Sequence, residues 1–104
     1  MKQNYEFLPI GSVVLLKDAT RKVIIIGLGV VEDGSNVIWD YLGCAYPIGV
    51  VSSDSNLLFD RSQIEKVVYV GYSDDEGKRT LTELSKNMEM IKKNGWIELQ
   101  WRNN

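Results

Sequence analysis

Apolar residues come in short dense runs as far as Tyr72, separated by polar or glycine-bearing breaks, and then recur at helical spacing. Met1 to Phe7 reads as a frayed or surface segment. Ser12 to Lys17 then holds Val13, Val14, Leu15 and Leu16, apolar at both alternating positions, which predicts a strand covered on two faces. Asp18-Ala19-Thr20-Arg21 suits a hairpin turn. Lys22 to Val31 contains Val23, Ile24, Ile25 and Ile26, and such β-branched side chains favour a pleated backbone, so it predicts a second strand. Glu32-Asp33-Gly34-Ser35-Asn36 carries the Asp-Gly pair of a hairpin loop. The third strand, Val37 to Leu42, sets Val37, Trp39 and Tyr41 against Ile38, Asp40 and Leu42, and Asp40 must find a partner or backbone donors there. Gly43 permits a change of direction, and Tyr46-Pro47-Ile48-Gly49 places Pro and Gly as a type I turn would. Val50-Val51 continues as a short strand before the polar loop Ser52 to Asn56. Leu57-Leu58-Phe59 returns to the core, and Asp60 can cap one helical turn through Ile64. Glu65 to Tyr72 reads as the last long strand, with Val67 and Tyr69 on one face and Val68, Val70 and Tyr72 on the other.

The period changes at Ser73. Ser73-Asp74-Asp75-Glu76 fits a capping box, the early acids and the late Lys92-Lys93 oppose the helix dipole, and Asn94-Gly95 offers a left-handed stop. Leu81, Leu84, Met88 and Ile91 form one narrow apolar stripe. That stripe faces either its own sheet or a partner helix. Trp96 to Trp101 alternates again, in a tail that either docks on the domain or stays exposed as an interface anchor. The whole pattern predicts an α+β chain: a strongly bent antiparallel sheet or small barrel of about five strands, then one amphipathic helix and a short apolar tail. Residues 1–104 make one domain, divided as a β-rich core over 8–72, a helix over 73–95 and a tail over 96–104.

Composition narrows the function classes. The formal charge of −2 and the interleaving of bases with acids leave no basic patch for nucleic acid. Cys44 is the single cysteine and suits a small buried hydrophobe in a reducing compartment. Lys2, Asn4 and Glu6 stand where a signal peptide needs an apolar stretch, and no apolar run approaches a membrane span, so a cytoplasmic location is expected. The chain has no histidine, which removes Ser-His and Cys-His pairs and the commonest metal ligand. The acids cluster at turns and at the helix start, where capping and solvation account for them. Gly27-Leu28-Gly29 lacks the third glycine and the following helix of a nucleotide fingerprint and suits a bulge instead. Ser52 to Asn56 lacks the ligand spacing of a calcium loop. Neither a catalytic site, a metal site nor a cofactor site is expected. A small enzyme would require Asp40 and a loop carboxylate to converge near Tyr46.

The landmarks Leu8-Pro9-Ile10-Gly11-Ser12-Val13-Val14-Leu15-Leu16-Lys17, Ile25-Ile26-Gly27, Trp39-Asp40-Tyr41-Leu42-Gly43-Cys44 and Tyr46-Pro47-Ile48-Gly49 occur in that order. Leu58-Phe59, Ile64, Val67 and Gly71-Tyr72 complete the set. With them the chain resembles the domain of unknown function DUF4176, short proteins of Gram-positive bacteria. The resemblance implies association with type VII secretion loci that encode LXG-domain toxins and small helical WXG100-like partners. It further implies a non-enzymatic adaptor or chaperone-like accessory that binds the toxin or those partners; the alternative is an immunity protein. The candidate contact residues are Tyr46, Pro47, Leu81, Leu84, Met88, Ile91, Trp96 and Trp101, with homodimer formation as a further expectation.

Overall fold

The computed structural model describes residues 6–94, with Asn94 described in its backbone alone. Five strands, β1 (Val13–Leu16), β2 (Lys22–Val31), β3 (Ile38–Ala45), β4 (Leu57–Phe59) and β5 (Ile64–Tyr69), precede one helix, α1 (Asp75–Asn94). Single 3-10 turns at Ser53–Ser55 and Arg61–Gln63 flank β4. The strands form one sheet in the order β4-β3-β2-β1-β5, antiparallel at every neighbouring pair. The fold is thus α+β, with a sheet that bends without closing, since β4 and β5 stand at its two ends.

The bend follows from chain length. In a flat five-stranded sheet the outer strands would lie about 19 Å apart, four spacings of about 4.8 Å. Only residues 60–63 connect β4 to β5, and most of them form a 3-10 turn, which advances only about 2 Å per residue. The two edges must therefore curl toward each other. Register shifts between Ile25 and Gly27 on β2, and at two points along the β1–β5 pair, supply local twist. The bulge reading of the Gly27 region is met. Gly29 also adopts a positive φ of 59°.

Inside the curl lie Val14, Val23, Ile25, Ile38, Tyr41 and Phe59, closed off by Leu81, Met88 and Ile91 of α1. Tyr41 is fully buried, its ring edge-on to Phe7 at 5.3 Å between centroids and tilted against Phe59 at 5.4 Å. Its hydroxyl accepts the Leu8 N–H at 2.9 Å, as a buried phenol requires. Phe7, expected at the surface, is a core residue instead. Its N–H donates to Ser85 Oγ on α1 at 3.0 Å, so the chain's entry is stitched to the helix.

Several boundaries differ from the sequence expectation, each for a non-local reason. β3 runs past Leu42 to Ala45, because Gly43 serves close approach rather than a turn: a Cβ there would meet Val23 Cγ1 at 2.3 Å and Phe59 Cε1 at 2.9 Å. The Tyr46–Gly49 loop is no type I turn. It is closed by the Gly49 N–H donating to Ala45 O at 2.7 Å, and the Tyr46–Pro47 peptide is cis. Val50 and Val51 lie outside any strand. At α1 the cap is Asp74 and not Ser73: Asp74 Oδ1 accepts the Gly77 N–H at 2.9 Å, and Asp74 O takes the first helical bond from Lys78. That bond with Gly77 holds the Asp74 carboxyl below its ordinary value.

Ser12 fastens the far end of the sheet. Fully buried, its hydroxyl donates to Pro9 O at 2.7 Å and accepts the Gly71 N–H at 2.9 Å. Gly71 lies so close to this turn that a Cβ would stand 2.4 Å from Ile10 O. Replacing the serine leaves the Gly71 N–H and Pro9 O facing an apolar methyl, at a cost of about 1–3 kcal/mol. Ser12→Ala is therefore expected to lower the urea midpoint by that equivalent with an unchanged m-value; a midpoint equal to wild type would show that water replaces the hydroxyl.

Candidate protein-binding surface

The sequence-predicted contact residues separate in space. Leu81, Met88 and Ile91 are buried and Leu84 is half-buried against the same core, so the helix stripe is turned onto its own sheet. Of the two alternatives for that stripe, the sheet-facing one is realised, and these four side chains are unavailable to a partner helix. Tyr46 and Pro47 are exposed, with the Lys22 ammonium 5.4 Å from the Tyr46 ring centroid. Trp96 and Trp101 lie outside the described residues. The aromatics Trp39, Tyr41 and Tyr46 do not form a shared platform: Tyr41 is core, Trp39 is half-buried with its Nε1–H donating to Glu32 Oε1 at 3.0 Å, and Tyr46 faces solvent.

Two exposed apolar stretches emerge in their place. One is the loop after β3, where Ile48 is 72% and Val51 67% exposed, with Val50 also open. The other is β5 and its continuation, where Val67, Val68, Tyr69, Val70 and Tyr72 are all exposed, on both faces of the strand. Beyond Ile64 no residue of β5 joins the core. Scattered exposed apolar residues are ordinary, whereas contiguous ones mark contact surfaces. A signal for the second stretch was present in the sequence: Val67 to Tyr72 is apolar on both faces, while a helix with one narrow stripe can cover only part of a sheet.

The only cluster of charges touching several elements, among the described residues, lies at the β4–β5 corner. Asp40 Oδ1 pairs with Lys92 Nζ at 3.0 Å, and its Oδ2 accepts the Arg61 N–H at 2.8 Å. Asp60 Oδ1 accepts the Asp40 N–H at 2.9 Å and Lys92 at 3.2 Å, and the Asp60 N–H donates to Gln63 Oε1. Asp60 stands at the start of the 3-10 turn Arg61–Gln63, the single turn expected of it, and its side chain also reaches β3 and α1. The two carboxylates do converge, but on an ammonium and backbone donors, and away from Tyr46. Their arrangement clamps the end of α1 to the sheet. Burial pushes the neighbouring Tyr41 phenol up, partly offset by its bond from Leu8 and the charge of Arg61. Cys44 is buried. Among the described residues no group of His, Cys, Asp and Glu could hold a metal ion, and no helix is long and apolar enough to cross a membrane.

Partial burial alone would lower the Lys92 ammonium, but its hydrogen bonds to Asp40 and Asp60, and their charges, outweigh that and raise it above 10.5. A raised folded-state value means the clamp's contribution is complete below 10.5 and is lost as pH climbs through the higher folded value. With Lys92 about one-third exposed, solvent screening keeps the contribution small. The stability gap between wild type and Lys92→Met is expected to be constant from neutral pH to about 10 and to narrow above it. A pH-independent gap in denaturation curves would show that Lys92 acts by packing alone.

No curated protein and no solved structure matches this chain. The family model described as "Domain of unknown function (DUF4176)" matches residues 7–80. That span opens on the core residue Phe7, takes in every strand, Ser12, Gly43, Gly71 and the Asp40–Asp60 corner, and ends inside α1. The chain belongs to the DUF4176 family.

Proposed function

We propose that this protein is a non-enzymatic, cytoplasmic adaptor or chaperone-like accessory of a type VII secretion locus, binding an LXG-type toxin or its small helical partners. The observation that carries the reading is the exposed apolar loop Tyr46–Val51, with Ile48 and Val51 the most open of its large side chains. The loop is held in shape at both ends. Gly49 is bonded and bridged to Ala45, and Ser55 Oγ donates to Ser52 O at 2.9 Å where the chain turns toward β4. A surface already ordered loses less entropy on binding, so its apolar area converts more fully into affinity. The charge balance favours a polypeptide partner over nucleic acid. The corner carboxylates, engaged by Lys92 and backbone donors, support a structural role for the acids.

Co-expression with the toxin operon adjoining its gene tests this. The chain is expected to co-purify with the toxin's N-terminal export region or a helical partner. Ile48→Asp and Val51→Asp are each expected to weaken recovery by about tenfold, the effect of losing a moderate interface anchor, with circular dichroism unchanged because both side chains are exposed. Recovery of the chain alone at several salt concentrations would count against the proposal. Protection of cells from the toxin's C-terminal catalytic domain, without binding to the export region, would replace it with an immunity role.

A further inference from the structure

We infer that residues 6–8 and α1 form one two-piece lid over the concave side of the sheet, and that this lid opens as a unit about Ser12 while the five strands stay paired. Both pieces leave the sheet at the same place. The Ser12 hydroxyl joins Pro9, where the strap of residues 6–8 ends, to Gly71, where the connection to α1 begins. Gly71 is also fixed by space, since the lack of a side chain lets it lie against Ile10 and Gly11. Past this knot the chain is loosely held: Tyr72 is 81% exposed, and its hydroxyl donates to Asp74 Oδ2 only two residues on. The connection between Gly71 and the cap at Asp74 can therefore swing without breaking a strand pair.

The two pieces are stitched to each other. The Phe7 N–H donates to Ser85 Oγ at 3.0 Å and Thr82 Oγ1 donates to Glu6 Oε2 at 3.4 Å, and Thr82 and Ser85 are neighbours on one helix face. Toward the sheet and its corner the lid is held by side chains. The Leu8 N–H reaches the Tyr41 hydroxyl, the Arg61 guanidinium lies over the Phe7 ring at 5.3 Å, and Lys92 meets Asp40 and Asp60. Phe7 packs on Tyr41, and Leu81, Met88 and Ile91 close the core. Among the described residues no backbone hydrogen bond joins α1 to a strand, whereas a ladder runs from β4 through to β5. Regions of this kind open as cooperative units below the free energy of global unfolding. Lifting α1 alone would strip the Phe7 N–H of its acceptor, and lifting the strap alone would open the core beneath the helix, so the two move together. Opening frees the stripe Leu81, Leu84, Met88 and Ile91, which the closed lid turns onto its own sheet. The Tyr46–Val51 loop takes no part in this, so the inference stands apart from the adaptor reading.

Hydrogen exchange of the full chain, read residue by residue where rates report equilibrium opening, tests this. In the wild type the Leu8 amide and the central amides of α1 are expected to share one opening equilibrium, more populated than the one that frees the β2 and β3 amides. A helix depends mainly on its packing, so the α1 amides lose protection once it lifts. Two substitutions separate lid opening from unfolding. Ser12→Ala weakens a knot that is still tied when the lid is open. It is therefore expected to speed exchange in β2 and β3 by about tenfold, the effect of an unsatisfied buried donor, and to leave Leu8 and α1 unchanged. Phe7→Leu weakens a ring contact that is lost both in the open form and in the unfolded chain. It is expected to speed Leu8, α1 and the strands alike, by about fivefold. A wild type in which α1 and the strands open together would overturn the inference, as would an α1 that Ser12→Ala accelerates as much as the strands. A Leu8 amide that follows the strands while α1 exchanges sooner would show the helix lifting alone and would overturn the two-piece lid.

Discussion

The Asp60 carboxylate sits where the chain passes from one edge of the sheet to the other, and it touches all that must meet there. Its bond from the Asp40 N–H fixes the corner to β3, and its contact with Lys92 fixes the last turn of α1 to the same place. The tie between the Asp60 N–H and Gln63 keeps the connection in one 3-10 turn. That compactness is what forces the sheet to curl, and the curl is what gives a chain of this size an interior. A small domain buries a limited fraction of its surface, so a flat sheet with one helix would leave Tyr41 and Phe59 half-covered.

The opposite end of the sheet is closed by space instead of charge. Ser12, Gly71 and the Pro9–Gly11 turn approach so closely that neither a side chain at 71 nor the loss of the Ser12 hydroxyl can be absorbed without movement. Gly43 plays the matching role inside β3, where Val23 and Phe59 occupy the room a side chain would need. Several of the residues that carried the family resemblance are ones to which the structure gives such a task. Leu8 gives its N–H to Tyr41, Ser12 bridges to Gly71, Asp40 enters the corner clamp, and Gly43 admits Phe59. The resemblance is therefore a resemblance of architecture, and the function it implies rests on separate grounds.

Periodicity carried the local elements well. β2 spans the residues its β-branched run indicates, and α1 begins within two residues of the change in period. What could not be read was whatever depends on a distant partner. Phe7 looks like a terminal residue until Tyr41 and Ser85 are brought beside it. Gly43 looks like a turn until β2 and β4 flank it. Ser73 and Asp74 are both acceptable caps by composition, and the structure uses Asp74. The contact residues show the same division. An amphipathic stripe is defined by spacing, but which surface it meets is decided by the length and direction of the connection before it, and here that connection returns α1 over its own sheet.

The same geometry explains why β5 is left uncovered. One helix with one stripe lies against β3, anchored at its end by Lys92 over the Asp40–Asp60 corner, and that stripe of Leu81, Leu84, Met88 and Ile91 is spent on the core. β5 comes after the corner and adds to β1 at the far edge, beyond the core that α1 closes. Its valines and tyrosines cannot be buried by rearranging this helix, because moving α1 toward β5 would expose Tyr41 and Phe59 and break the clamp at Asp60. An apolar edge strand templates further pairing unless it is blunted, and the register shifts along the β1–β5 pair are one such device. The fold thus divides the sheet: the curl and the helix enclose the core, and β5 beyond Ile64 lies outside it with its large side chains exposed.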